Sequence, residues 1–200
     1  MLKVGLTGSI AVGKSFVLAV LAELGCITFD ADKIAHAVMA PGRDAYEDVV
    51  GEFGPGVLAA DGAIDRAKLG GIVFASAERR KLLNEIVHPR VIEEQNRLLL
   101  EAEAAAPNGI AVVDAALMIE SGGYKRFDKV IVVYCDPEVQ IERLMRRNHI
   151  NRQEAELRIS AQMPSEEKRR YADYEVDTTG EFEATRARVR EIYEFLVSSF

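Results

Sequence analysis

The sequence predicts an α/β fold built on a parallel five-stranded sheet with helices on both faces. Three observations carry that expectation. Short apolar runs of strand length alternate with stretches of helical pattern. Those runs are continuously apolar, as strands buried on both faces are. Residues 8–15, Gly-Ser-Ile-Ala-Val-Gly-Lys-Ser, lie between the first such run and the first helical stretch. Strand, glycine loop and helix in that order form a phosphate cradle.

The elements follow in chain order. Leu2–Thr7 is short and largely apolar, like a buried strand. Phe16–Leu24 reads as a helix, with Gly25 where a C-terminal cap belongs. Cys26–Asp30 is a second strand, with β-branched residues at its centre. Residues 31–105 are mostly helical by pattern, broken at Pro41-Gly42, Gly54-Pro55-Gly56 and Asp61-Gly62. Residues 76–106 read as one or two helices, interrupted near His88-Pro89, because the residue before a proline is biased away from helix. A crossover between parallel strands needs only one helix. The surplus is therefore expected to be an inserted helical subdomain, at about 61–106, on the carboxyl edge of the sheet. Ile110–Asp114, Lys129–Cys135 and Tyr174–Asp177 supply the remaining strands. An arginine-rich second insertion is expected at about 138–170, and an amphipathic helix at about 181–197 closes the chain.

Composition bounds the function. The 200 residues fit one domain carrying insertions, and 48% hydrophobic residues suffice for a sizeable core. A formal net charge of −7 argues against nonspecific nucleic-acid binding. No apolar run reaches membrane-spanning length. The N-terminus reads as a strand entering the glycine loop rather than as a signal peptide. Cys26 and Cys135 are expected as buried free thiols in a reducing cytosol, and three scattered histidines give no zinc spacing.

Each fixed residue of the loop has a physical task. Gly8 and Gly13 permit a tight turn with converging N–H groups. Lys14 brings a positive charge to the outer phosphates, and Ser15 offers a hydroxyl to Mg²⁺. Asp30-Ala31-Asp32 follows the second strand. A carboxylate there can orient an acceptor hydroxyl, or it can cap the helix starting near Lys33; one of the pair can cap while the other reacts. Arg143, Arg146 and Arg147 share a helix face, with Arg152 and Arg158 close behind. Such a cluster either neutralises phosphoryl oxygens or forms a solvated face pairing with Glu138, Glu142 and Glu154. His88 by itself reads as a helix cap or a residue packed in a turn.

Taken together, the motifs resemble the dephospho-coenzyme A kinase family over nearly the whole chain. The resemblance rests on Leu6-Thr7-Gly8-Ser9-Ile10 with Gly13-Lys14-Ser15, Asp30-Ala31-Asp32-Lys33-Ile34-Ala35-His36, His88-Pro89, and Leu117-Met118-Ile119-Glu120-Ser121-Gly122. Asp136-Pro137, Arg143, Arg147, Arg158-Ile159, Gln162-Met163, Lys168 and Gly180 extend it. It implies a three-layer P-loop kinase core with a helical substrate-binding insertion and a helical lid. It implies ATP-dependent phosphorylation of the ribose 3′-hydroxyl of dephospho-coenzyme A in the cytoplasm, with Mg²⁺ held at Ser15. Nucleotide binding would involve Gly8, Ala11, Val12, Gly13, Lys14, Ser15, Phe16, Arg143 and Arg147. Asp32 would be the catalytic carboxylate, with Lys14 and Arg143 stabilising charge. Thr7, Asp30, Asp32, His88 and Glu120 would contact the acceptor.

Three positions depart from the family pattern. Ala11 replaces a usual glycine and is expected at negative φ, with its methyl clear of the phosphates. Ala116 replaces a proline, and Thr178 stands where an asparagine near the adenine ring is common. Other functions of the same loop are a kinase acting on a nucleoside or nucleotide, a GTPase-type switch, and a regulatory protein that binds ATP without transferring it. A switch reads guanine through Asn-Lys-x-Asp, and that pattern does not occur here.

Overall fold

The computed structural model describes residues 1–198. The chain divides into two compact units, residues 1–29 with 102–200 and residues 30–101.

The first unit is built on five strands: β1 (Leu2–Thr7), β2 (Ile27–Asp30), β3 (Ile110–Asp114), β4 (Lys129–Tyr134) and β5 (Tyr174–Asp177). Their order across the sheet is β2-β3-β1-β4-β5. The β1–β3, β1–β4 and β4–β5 pairings are parallel, with Val4 opposite Val112 on one side and Leu6 opposite Ile131 on the other. β1 is therefore central, and its two neighbours are strands that follow it much later in the chain. A ligand in such a sheet sits beyond the carboxyl ends, where the connections diverge.

Strand alternation splits β1 between two faces. Val4 and Leu6 pack with Ile110, Val112, Ile131 and Val133 against α1 (Lys14–Glu23) and α9 (Phe182–Val197), through Val17, Val20, Leu21, Val189, Ile192 and Leu196. On the opposite face, Ile119, Val130 and Val132 pack with Tyr124, Met163 and Ala172. Gly5 has to be small there: a Cβ would come within 2.5 Å of Met118 Sδ. Between β4 and β5 run α6 (Pro137–Asn148), α7 (Arg152–Ser160) and α8 (Ser165–Arg169).

The second unit is helical: α2 (Ala31–Val38), α3 (Asp44–Phe53), α4 (Arg66–Ala75) and most of α5 (Ala77–Ala105). The insertion expected at about 61–106 shares α4 and most of α5 with it. The interruption expected near His88-Pro89 does not occur; α5 is one helix with Pro89 inside it. Proline removes one N–H donor from the ladder. Pro89 and Glu85, whose carbonyl loses that donor, are both exposed, so water can replace the missing bond.

Cys26 and Cys135 are buried free thiols. Burial pushes the Cys26 thiol up from 9.0 to about 12. No helix among the described residues is long and apolar enough to cross a membrane.

Candidate active site

The glycine loop joins the carboxyl end of β1 to the start of α1. Gly8 lies so close to β4 that a Cβ would fall 2.3 Å from the Val133 carbonyl oxygen. Gly13, at φ +89°, is the N-cap of α1 and has no capping side chain. The N–H groups of Ala11, Val12, Gly13, Lys14 and Ser15 find no acceptor among the described residues. Five unclaimed donors at a helix N-terminus are a ready site for an anion.

Ala11 corrects the expectation of a negative φ: it sits at +62°, in the left-handed region. The loop needs a left-handed residue here to bring successive N–H groups round. A Cβ in that region costs roughly 1–2 kcal/mol, which accounts for the usual glycine. The methyl has a compensating contact. With Ile10, Met145, Ile150 and Ile159, it packs against Ile141, Leu144 and Ala155 of α6 and α7.

Lys14 Nζ lies 3.8 Å from Asp114 Oδ1, with both side chains 16% exposed. Asp114 ends β3, adjacent to β1. Its place after an apolar run, at a strand's carboxyl end, marks it for the cleft in the sequence as well, although no particular role follows from that place. Ser15, next to Lys14 in the chain, is exposed. Phe16, in the first turn of α1, packs its ring 5.0 Å from that of Phe182.

The expected arginines diverge. Arg143 turns inward, donating from Nη1 to Thr178 Oγ1 at 3.0 Å and from Nη2 to the Thr178 carbonyl at 2.7 Å. Arg147 is exposed and donates to Asn148. Arg152 belongs to a solvated face, paired with Glu138 and Glu156. Thr178 is itself a brace, for its hydroxyl donates to the Val12 carbonyl at 2.7 Å.

Two residues expected at the acceptor have partners inside the protein. Thr7 is 0% exposed, and its hydroxyl donates to the Ala116 carbonyl. The strand's alternation turns it to the same covered face as Gly5. Both Glu120 carboxylate oxygens are engaged by the Lys168 ammonium, at 2.8 and 3.0 Å, and Oε1 also accepts the Met163 N–H. Burial pushes the Lys168 ammonium below the usual lysine range, with Lys14 adding repulsion and Glu120 opposing both.

Asp30 resolves the capping question. It is the N-cap of α2, and its Oδ1 accepts from the N–H groups of Asp32 and Lys33. The Asp32 side chain, exposed in the first turn of α2, carries no hydrogen bond or ion pair among the described residues. His88 is exposed on α5. Two residues further on, Arg90 joins Arg43, Asp44, Glu93 and Arg97 in lining a groove of about 360 Å³ within the second unit.

No group of three or more His, Cys, Asp or Glu side chains among the described residues could hold a metal by itself. Ser15 and Asp114 supply oxygen donors next to the anion site, which suits a cation held mainly by substrate phosphates.

Comparison with known proteins points to one family. The family model for dephospho-CoA kinase matches residues 2–183. A dephospho-CoA kinase of Geobacillus kaustophilus is 48% identical over 193 residues, 96% of this chain and 94% of that protein. The crystal structure of TT1252 from Thermus thermophilus is 31% identical with a TM-score of 0.80, covering 96% of this chain and 95% of that one. A dephospho-CoA kinase structure from Campylobacter jejuni is 29% identical with a TM-score of 0.75, covering 98% of each chain.

Proposed function

The chain belongs to the dephospho-CoA kinase family, and from that premise we propose that it transfers the γ-phosphoryl group of ATP to the ribose 3′-hydroxyl of dephospho-coenzyme A. The products are coenzyme A and ADP, and the step is the last in coenzyme A biosynthesis. The observation that carries the reading is the set of five unclaimed N–H groups at residues 11–15, with Lys14 and Asp114 beside them.

In this mechanism the loop from Gly8 to Ser15 holds the β- and γ-phosphates. Lys14 follows the charge that spreads over the transferring oxygens, and Arg143 supports it from the α6 side. Asp32 accepts, or at least orients, the proton of the acceptor hydroxyl; Asp30 fixes the turn that presents it. Ser15 and Asp114 would hold Mg²⁺, which when bound neutralises phosphate charge. Most of the acceleration comes from positioning and electrostatics, since the γ-phosphoryl group is already activated. His88 and the groove near Arg90 belong to the acceptor side, in a helical substrate-binding insertion. Residues 138–170 act as a lid that excludes water during transfer. With its two free thiols, the protein works in the cytoplasm.

Incubation with ATP, Mg²⁺ and dephospho-coenzyme A tests the reading. ADP and a 3′-phosphorylated product should appear together, one for one. ADP formed at the same rate without acceptor would overturn it in favour of a hydrolase.

A further inference from the structure

Lys168 is the largest fully buried side chain of the described residues, and the mechanism above makes no use of it. Taking an ammonium out of water costs several kcal/mol, and a well-packed apolar residue often serves stability as well or better. A fully buried ammonium at this place, paired with a Glu120 carboxylate whose side chain stays 24% exposed, calls for a reason other than stability.

Its surroundings supply one. Lys168 Nζ donates to the Ala116 carbonyl at 2.7 Å and to Glu120. The same Ala116 carbonyl accepts from Thr7, the last residue before the glycine loop. Glu120 in turn accepts the N–H of Met163. Met163 offers its carbonyl to the Ser9 hydroxyl at 3.1 Å, and the neighbouring Gln162 side chain accepts the Ile10 N–H at 2.8 Å. Gln140 completes the grip, donating to the Ile10 carbonyl at 2.7 Å. Thr7, Ser9 and Ile10 are thus all held by a web whose hub is Glu120 with Lys168. The loop's other half is held separately, by Thr178 on Val12.

We propose that Glu120 and Lys168 are a positioning pair for the kinase reaction: they pin Gln162-Met163 against the first half of the glycine loop and so set its N–H groups for the ATP phosphates. Neither residue touches substrate. Glu120 acts through Met163 and Gln162, Lys168 through Glu120 and Ala116. The inference rests on the loop being the ATP phosphate site.

The test compares Glu120→Gln, Gln162→Ala and the double variant, with Lys14→Ala as a control on the site. ATP affinity is measured by calorimetry and both Michaelis constants by coupled assay. Glu120→Gln should weaken ATP binding about tenfold, the size of one lost charged hydrogen bond, and leave the KM for dephospho-coenzyme A within about twofold. Gln162→Ala should do the same in part, and the double variant should be little worse than Glu120→Gln, because both cut one chain of bonds. A raised acceptor KM with unchanged ATP affinity would overturn the proposal and make Glu120 a direct acceptor contact. Additive losses in the double variant would also overturn it. Unchanged ATP affinity in Lys14→Ala would instead show that the phosphate-site reading itself had failed.

Discussion

The hydroxyl of Thr178 donates to the carbonyl of Val12 across 166 positions of sequence, tying the end of β5 to the middle of the glycine loop. Thr178 is 4% exposed and also receives the Arg143 guanidinium. One hydroxyl therefore holds both the loop and the Arg143 guanidinium. Replacing Thr178 by Val keeps the shape and removes the hydroxyl, stranding a buried carbonyl and weakening the hold on Arg143. The cost should be about 1–3 kcal/mol in urea unfolding, with a raised KM for ATP. Thr178→Ser should restore both; failure of that rescue would count against the brace.

Ala11 gives a prediction of the opposite sign. Glycine would relieve the left-handed strain at φ +62°, but it adds freedom to the unfolded chain and forfeits the methyl contact with α6 and α7. The balance should leave Ala11→Gly between neutral and about 1 kcal/mol more stable. Ala11→Val, β-branched, should lose about 2 kcal/mol or more. Equal stability of the Gly and Val variants would refute the strain argument.

For the acceptor side, Asp32→Asn should lower kcat by about 10²–10⁴-fold, the usual worth of a general base, while ATP affinity and melting temperature hold. The side chain is exposed and has no structural partner among the described residues, so stability should not mask the effect. His88→Ala should raise the KM for dephospho-coenzyme A alone. Near-normal turnover in Asp32→Asn would remove the carboxylate from the chemistry.

The buried thiol of Cys26 sets an alkaline limit on stability. Its folded pKa, about 12, lies above the 9.0 of an open thiol, so the unfolded state loses its proton first. Stability from this group is complete below pH 9 and is lost as pH rises from 9 towards 12. By pH 10 the loss should be roughly 1.4 kcal/mol. Urea unfolding at pH 8 and 10 should show that decline in the wild type and a shallower one in Cys26→Ala. Equal slopes would place the alkaline sensitivity elsewhere.

Much of the core was legible in the sequence. Leu2–Thr7, Ile110–Asp114 and Lys129–Tyr134 are short, largely apolar runs, and that pattern records burial on both faces. Gly13-Lys14-Ser15 was legible because local spacing alone creates its chemistry. Other features were hidden for physical reasons. Ala11 gives no local sign of a positive φ, since the loop imposes it. The Glu120–Lys168 pair joins residues 48 apart, and no periodicity connects them. Thr7 was named through the family resemblance alone, and no local pattern shows that strand alternation buries its hydroxyl on the Ala116 carbonyl. At Pro89 a reliable local rule was overridden by the length of α5 and by solvent at the broken rung.

The five N–H groups of residues 11–15 have a consequence for the life of the protein between turnovers. Donors gathered at one point repel one another and are satisfied only by water until an anion arrives. The native state is therefore thermodynamically linked to its own substrate. Free ATP at a hundred times its dissociation constant would add about 2.7 kcal/mol to the folding free energy. A fall in free nucleotide would then lower the stability of the folded state as well as slow the reaction.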